Sequence, residues 1–109
     1  CSSGEQVRDF MYVTDVASAF VALLNSDIQG PVNIASGEAI TLKDVVERIA
    51  TKLGHPELLK LGAHSTNLQD PPLLLADISR LKDELGWQPS FDIDRGLDNT
   101  IAWWKEELK

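Results

Sequence analysis

Arg8-Asp9, standing directly before the apolar run Phe10-Met11-Tyr12-Val13, is the pair in this sequence best placed to do chemistry. A guanidinium at the end of an extended segment can project into a cleft and grip a phosphate through two parallel N–H donors. The alternative for the same residues is an Arg–Asp surface ion pair, which contributes little. Other constellations are weaker. His55 and His64 lie in separate turn-like segments without metal-ligand spacing. Cys1 has no indicated histidine partner, so a thiolate nucleophile is not supported. The acid pairs Asp92-Asp94 and Glu106-Glu107 read as helix electrostatics rather than as general acid–base carboxylates. Ser36-Gly37-Glu38 sits between a strand and a helix, where phosphate loops also sit. With one glycine and no lysine in position, it reads as an ordinary connection. No catalytic residue and no metal ligand is assigned.

The elements that must position Arg8 follow from periodicity and turn chemistry. Aromatic and β-branched residues 10–13, after Ser2-Ser3-Gly4, predict a strand. Thr14 or Asp15 then offers an N-cap to a helix whose Val16, Phe20, Leu23 and Leu24 recur at helical spacing. Gly30-Pro31 marks a turn before a short strand over 32–35 that contains Asn33. Thr41-Leu42-Lys43-Asp44 caps a second helix with Val45, Val46, Ile49 and Leu53 as its buried stripe. Gly54 closes it in the left-handed region, and His55-Pro56 prevents continuation. Leu58, Leu59 and Leu61 suggest a third strand, and residues 62–72 a loop. A third helix is expected from Asp77, with Ile78, Leu81 and Leu85 buried, a stop at Gly86 and Trp87 folding back onto its last turn. Asp92 caps a last helix with Leu97, Ile101 and Trp104 on its apolar face; of Trp103 and Trp104, one is expected in the core. The expected fold class is therefore α/β, a helix-rich small domain of about four helices and two or three short strands, with no domain boundary inside residues 1–109.

Composition bounds the rest. The 109 residues are 43% hydrophobic and 25% charged, with a formal net charge of -7 spread along the chain, which argues against nucleic-acid binding. The single cysteine excludes an internal disulfide, and no apolar run approaches the roughly 18 residues that cross a bilayer. A cytoplasmic location and no membrane partner are expected. The chain is expected to be the back part of something longer, with an apolar face over 10–13 and 32–35 that favours self-association.

Four blocks in order carry a family likeness: Gly4-Glu5-Gln6-Val7-Arg8-Asp9-Phe10-Met11-Tyr12-Val13-Thr14-Asp15-Val16-Ala17; Gly30-Pro31-Val32-Asn33-Ile34-Ala35-Ser36-Gly37; Ala76-Asp77-Ile78-Ser79-Arg80-Leu81 with Glu84-Leu85-Gly86-Trp87-Gln88-Pro89; and Gly96-Leu97, Thr100-Ile101, Trp103-Trp104. Together they resemble the C-terminal part of the NAD-dependent nucleotide-sugar epimerases and dehydratases, the extended short-chain dehydrogenases/reductases. The resemblance implies a substrate-binding lobe that closes over a nucleotide diphosphate sugar. It also implies an N-terminal Rossmann domain, absent from this chain, that holds NAD and the catalytic Tyr-x-x-x-Lys. The sole tyrosine, Tyr12, has Val16 where that motif needs lysine. By resemblance, Arg8 contacts the diphosphate and Asn33 lies near the substrate cleft, although an asparagine in a strand also serves to satisfy backbone groups. Many relatives carry a second arginine in the loop before the Ala-Asp helix. This sequence has none between Gly62 and Pro72, and Asn67 lies about where it is expected. The implied activity is isomerase or lyase chemistry in carbohydrate biosynthesis, by a dimeric enzyme whose NAD is not bound by this chain. The competing expectation is a stand-alone, non-catalytic binding or assembly module that kept the lobe's fold.

Overall fold

The computed structural model describes residues 2–65 and 69–109. In chain order they form β1 (Val7–Arg8), α1 (Val13–Leu24), β2 (Ile40–Thr41), α2 (Leu42–Lys52), a 3-10 turn (Pro56–Leu58), a π-helical segment (Arg80–Glu84) and α3 (Ile93–Glu107). Three α-helices, the π segment and a two-stranded sheet match the expected α/β class. Two compact units divide the chain: Cys1–Asp9 with Glu38–Leu75, and Phe10–Gly37 with Ala76–Lys109.

In the first unit, β1 and β2 pair antiparallel, with Val7 opposite Thr41 and Arg8 opposite Ile40. The free edge of β1 is covered by a parallel bridge from Val7 to Leu73, through Val7 N–H to the Pro72 carbonyl at 2.8 Å and Leu74 N–H to the Val7 carbonyl at 3.1 Å. β2 runs directly into α2, because Thr41 is both the last strand residue and the N-cap, its side chain accepting from Asp44 N–H at 3.1 Å. The next two orphan donors of α2 are also satisfied: Leu42 N–H donates to the Gln6 carbonyl at 2.9 Å and Lys43 N–H to the Gly4 carbonyl at 2.8 Å. Only glycine fits at position 4, where φ is +73° and a Cβ would stand 2.8 Å from the Lys43 backbone. The far end of α2 closes as expected, with Gly54 N–H to the Thr51 carbonyl and His55 N–H to the Ala50 carbonyl, both at 3.0 Å. Val45 is buried, while Leu53, expected in the same stripe, is largely exposed. The third strand expected from Leu58, Leu59 and Leu61 does not form. Pro56 at the head of a 3-10 turn bends the chain there, and Leu58 is exposed.

In the second unit the burial of α1 differs from expectation. Its buried side is Asp15 and Ala19, while Phe20 is 57% and Leu24 83% exposed. Asp15 decides this. It does not cap the helix; the N-cap is Tyr12, with no side-chain cap bond. The Asp15 carboxylate is buried and accepts from Ser90 N–H at 2.9 Å and Phe91 N–H at 3.1 Å, tying the first turn of α1 to the lead-in of α3. Residues 10–12 are not strand either, because β pairing ends at Arg8 and Tyr12 turns its ring onto Phe91, 4.9 Å between centroids. Nor is 32–35 a strand. Among the described residues none pairs with it, and the Asn33 side-chain amide donates to the Asp77 carbonyl at 3.1 Å. The third expected helix appears as the π segment, with Leu85 N–H reaching the Arg80 carbonyl at 3.3 Å and Leu81 fully buried. Trp87 folds back as expected, its backbone N–H on the Leu81 carbonyl at 3.2 Å and its indole on Ser18 Oγ at 2.9 Å. α3 begins at Asp92, which accepts from Arg95 N–H at 2.8 Å. Neither Trp103 nor Trp104 is core: each is about half exposed, and the rings meet edge to face 4.8 Å apart.

Candidate functional site: the guanidinium of Arg8

Arg8 ends β1 and is half-buried. Its Nη1 donates to the Val7 carbonyl at 2.8 Å. That oxygen also accepts Leu74 N–H, so the guanidinium is held against the backbone of the 72–74 segment. The expected surface pair with Asp9 is not what holds it: among the described residues its hydrogen bond goes to a carbonyl, and the other donors of the fork meet no acceptor. A guanidinium with most of its N–H groups open is what bidentate phosphate recognition needs.

Strand geometry identifies the neighbours. Side chains alternate faces along a strand and directly paired residues share a face. Ile40, paired with Arg8, therefore lies on one side of the guanidinium stem. Leu74, one residue beyond the partner of Val7, lies on the other. Gln6, two residues before Arg8, shares the face, and its Oε1 is buried without a hydrogen-bond partner among the described residues. Sequence reading did not single out these neighbours. The one available signal was the uninterrupted Leu73-Leu74-Leu75, all of it substantially exposed.

Asn33 belongs to the other unit, where its side chain is exposed and spends its amide N–H on the Asp77 carbonyl. Asp77 in turn accepts from the Ser79 backbone N–H at 2.9 Å and from the Ser79 hydroxyl, and these bonds hold its carboxyl below the usual carboxylate range. Asn67, the third expected site residue, lies outside the described residues.

Alternative anion sites fail on their hydrogen bonding. The α2 N-terminus is filled by Thr41 and by the carbonyls of Gly4 and Gln6, and that of α3 by Asp92. α1 carries Asp15 in its first turn, which repels an anion. These described helix ends therefore do not fit the phosphates of a dinucleotide cofactor. A surface depression of about 590 Å³ is lined by Asp27, Gln29, Arg80 and Glu84. Its cation is committed: Arg80 donates to both Glu84 carboxylate oxygens and, through Nη1, to the carbonyls of Gln29 at 2.8 Å and Pro31 at 3.0 Å. Glu84 keeps the Arg80 pKa above its ordinary value, and the same bond lowers that of Glu84. Among the described residues no cluster of His, Cys, Asp and Glu is arranged to hold a metal, and no helix is long and apolar enough to cross a membrane.

Comparison with known proteins agrees with the family likeness. The family model described as GDP-mannose 4,6 dehydratase matches residues 1–100. UDP-glucuronic acid decarboxylase 1 of Xenopus tropicalis is 32% identical over 107 residues, 98% of this chain and 25% of that protein. The dTDP-4-dehydro-6-deoxyglucose reductase of Escherichia coli is 35% identical over 103 residues, 89% of this chain and 30% of that protein. Among solved structures, dTDP-glucose 4,6-dehydratase from Bacillus anthracis in complex with NAD superposes with a TM-score of 0.80 at 28% identity, covering 94% of this chain and 32% of that one. The chain thus spans about a quarter to a third of the length of these relatives.

Proposed function

The chain belongs to the GDP-mannose 4,6-dehydratase family, within the NAD-dependent nucleotide-sugar epimerases and dehydratases, and from that premise we propose that it is the nucleotide-sugar-binding lobe of such an enzyme, not catalytic on its own. The observation that carries this reading is the Arg8 guanidinium, tethered by one N–H to the Val7 carbonyl and otherwise open, on a strand covered along both edges. Two of its N–H groups suit two oxygens of a diphosphate, and the half-buried setting strengthens such charge-assisted bonds relative to water. NAD, where bound in the complete enzyme, supplies the hydride acceptor. In this reading the part of this chain is to hold and orient the nucleotide diphosphate, since its described helix ends already spend their N–H groups within the chain or carry an acid. Tyr12, with Val16 rather than lysine four residues on, is packed on Phe91 and serves structure.

Isothermal calorimetry with a nucleoside diphosphate sugar tests the reading. Arg8→Ala is expected to weaken binding by about 1.5–3 kcal/mol, the scale of hydrogen bonds to a charged group. Equal affinity for the parent and Arg8→Ala chains would refute the role. Asn33 is proposed as a secondary contact through its carbonyl oxygen. Asn33→Ala is expected to cost less than Arg8→Ala, because the amide N–H is already spent on Asp77.

A further inference from the structure

We infer that the exposed side of α1 is a seam for a second copy of this chain, the two helices packing antiparallel about a two-fold axis so that each Ala17 receives the partner's Phe20. Val13, Ala17, Phe20 and Leu24 recur at spacings of four, three and four, which lines them up along one side of a helix about 18 Å long, with Val21 beside them. Val13 is 69%, Phe20 57%, Val21 56% and Leu24 83% exposed, and Ala17 is exposed as well. The buried residues of the helix, Asp15 and Ala19, lie on its opposite side. Charge decides what can lie on the exposed one. With a formal net charge of -7, two copies repel over most of their surfaces. α1 carries a single charge, Asp15, and that carboxylate is buried on the amides of Ser90 and Phe91, whereas α2 and α3 both display acids. The exposed side of α1 is thus a helical face on which two copies meet without bringing like charges together. Shape then fixes the direction. Set antiparallel, the spacing is its own complement: Val13 lies opposite the partner's Leu24 and Ala17 opposite the partner's Phe20, so each level joins a smaller side chain to a larger one. Set parallel, phenylalanine meets phenylalanine and alanine meets alanine, crowding one level and leaving a gap at another. Four side chains more than half exposed offer on the order of 400 Å² per copy, below the size of a standard interface, so the association is weak and concentration-dependent.

Sedimentation equilibrium of the 109-residue chain from about 10 µM to about 1 mM reads the mass directly. The parent is expected to rise from 12.0 kDa toward twice that value and to level off there. Ala17→Phe sets phenylalanine against phenylalanine and Phe20→Ala sets alanine against alanine, and each is expected to weaken self-association about tenfold. Mixed one to one, the two variants are expected to recover the parent's affinity to within about threefold, because each supplies the small residue that the other's large one needs. Both positions are exposed, and circular dichroism checks that the variants are folded; should Ala17→Phe not be, Ala17→Leu serves in its place. A parent mass that stays at 12.0 kDa across the range overturns the inference, as does one that climbs past the dimer without a plateau. Ala17→Phe that associates more strongly than the parent, as a patch without fixed pairing would, or a mixture no tighter than either variant alone, overturns it as well.

Discussion

Replacing Asp15 by alanine removes the one buried carboxylate among the described residues and leaves the Ser90 and Phe91 N–H groups without their acceptor. Each is a charge-assisted bond, at 2.9 Å and 3.1 Å, to a carboxylate only 2% exposed, so that, although Ser90 itself is exposed, water repairs the loss only in part. An unsatisfied buried donor costs about 1–3 kcal/mol. Two of them put Asp15→Ala at about 3–5 kcal/mol, against a total stability of about 5–15 kcal/mol for a domain this size. At about 4–8 °C per kcal/mol, the melting temperature should fall by about 12–40 °C. Asp15→Asn is the sharper variant because it keeps the shape. One amide oxygen still accepts, but the NH2 group now opposes a backbone N–H, for a loss of about 2 kcal/mol. Urea denaturation of the three chains gives the ranking, and amide hydrogen exchange at Ser90 and Phe91 locates it. If both variants stay within about 0.5 kcal/mol of the parent and exchange at those amides is unchanged, the carboxylate is not what orders the approach to α3, and the account of why α1 buries Asp15 and Ala19 fails.

Gly4→Ala is expected to destabilise by at least about 1–2 kcal/mol, from the left-handed φ of +73° and the 2.8 Å approach of its Cβ to Lys43, and thermal melting reads the loss. The Glu84 pKa is lowered in the fold by its hydrogen bond with Arg80, so the stability this pair contributes is present above the ordinary carboxylate range and lost as pH falls through the folded value. Glu84→Gln should therefore shrink the decline in melting temperature between neutral and acid pH. A decline of unchanged size would remove Glu84 from the acid limb. Phe20→Lys combined with Leu24→Lys, at positions 57% and 83% exposed, should leave the circular dichroism spectrum intact and reduce concentration-dependent light scattering. Scattering that is flat with concentration in the parent chain would refute the prediction that these two exposed side chains drive association.

The helical elements were readable because their signals are local. Thr41 with Asp44 three residues on, Gly54 before His55-Pro56, and Asp92 before the Leu97-Ile101 spacing each specify a helix end through groups within one turn, and the caps lie where the residues place them. The strands were not, because a strand exists only where another segment satisfies its backbone. Residues 10–13 and 32–35 have the composition of strands, but the pairing falls on Val7–Arg8, which Ile40–Thr41 flanks on one edge and Pro72–Leu74 on the other. The buried face of α1 was misread for a related reason. Apolar spacing selected Val16, Phe20, Leu23 and Leu24, whereas a pair of amides some 75 positions away drew in Asp15 instead.

The same distinction separates what was readable of the site from what was not. Arg8 stands out from its own neighbourhood, a guanidinium at the head of an apolar run, and that is enough to nominate it for an anion. What surrounds a charge decides which anion, and the surroundings of Arg8 are assembled from Ile40 and from Leu74, 32 and 66 positions away by number. Neither has a period or motif that announces the contact. A three-leucine run exposed to solvent is an expense in stability and solubility, which makes Leu73-Leu74-Leu75 hard to account for as surface alone.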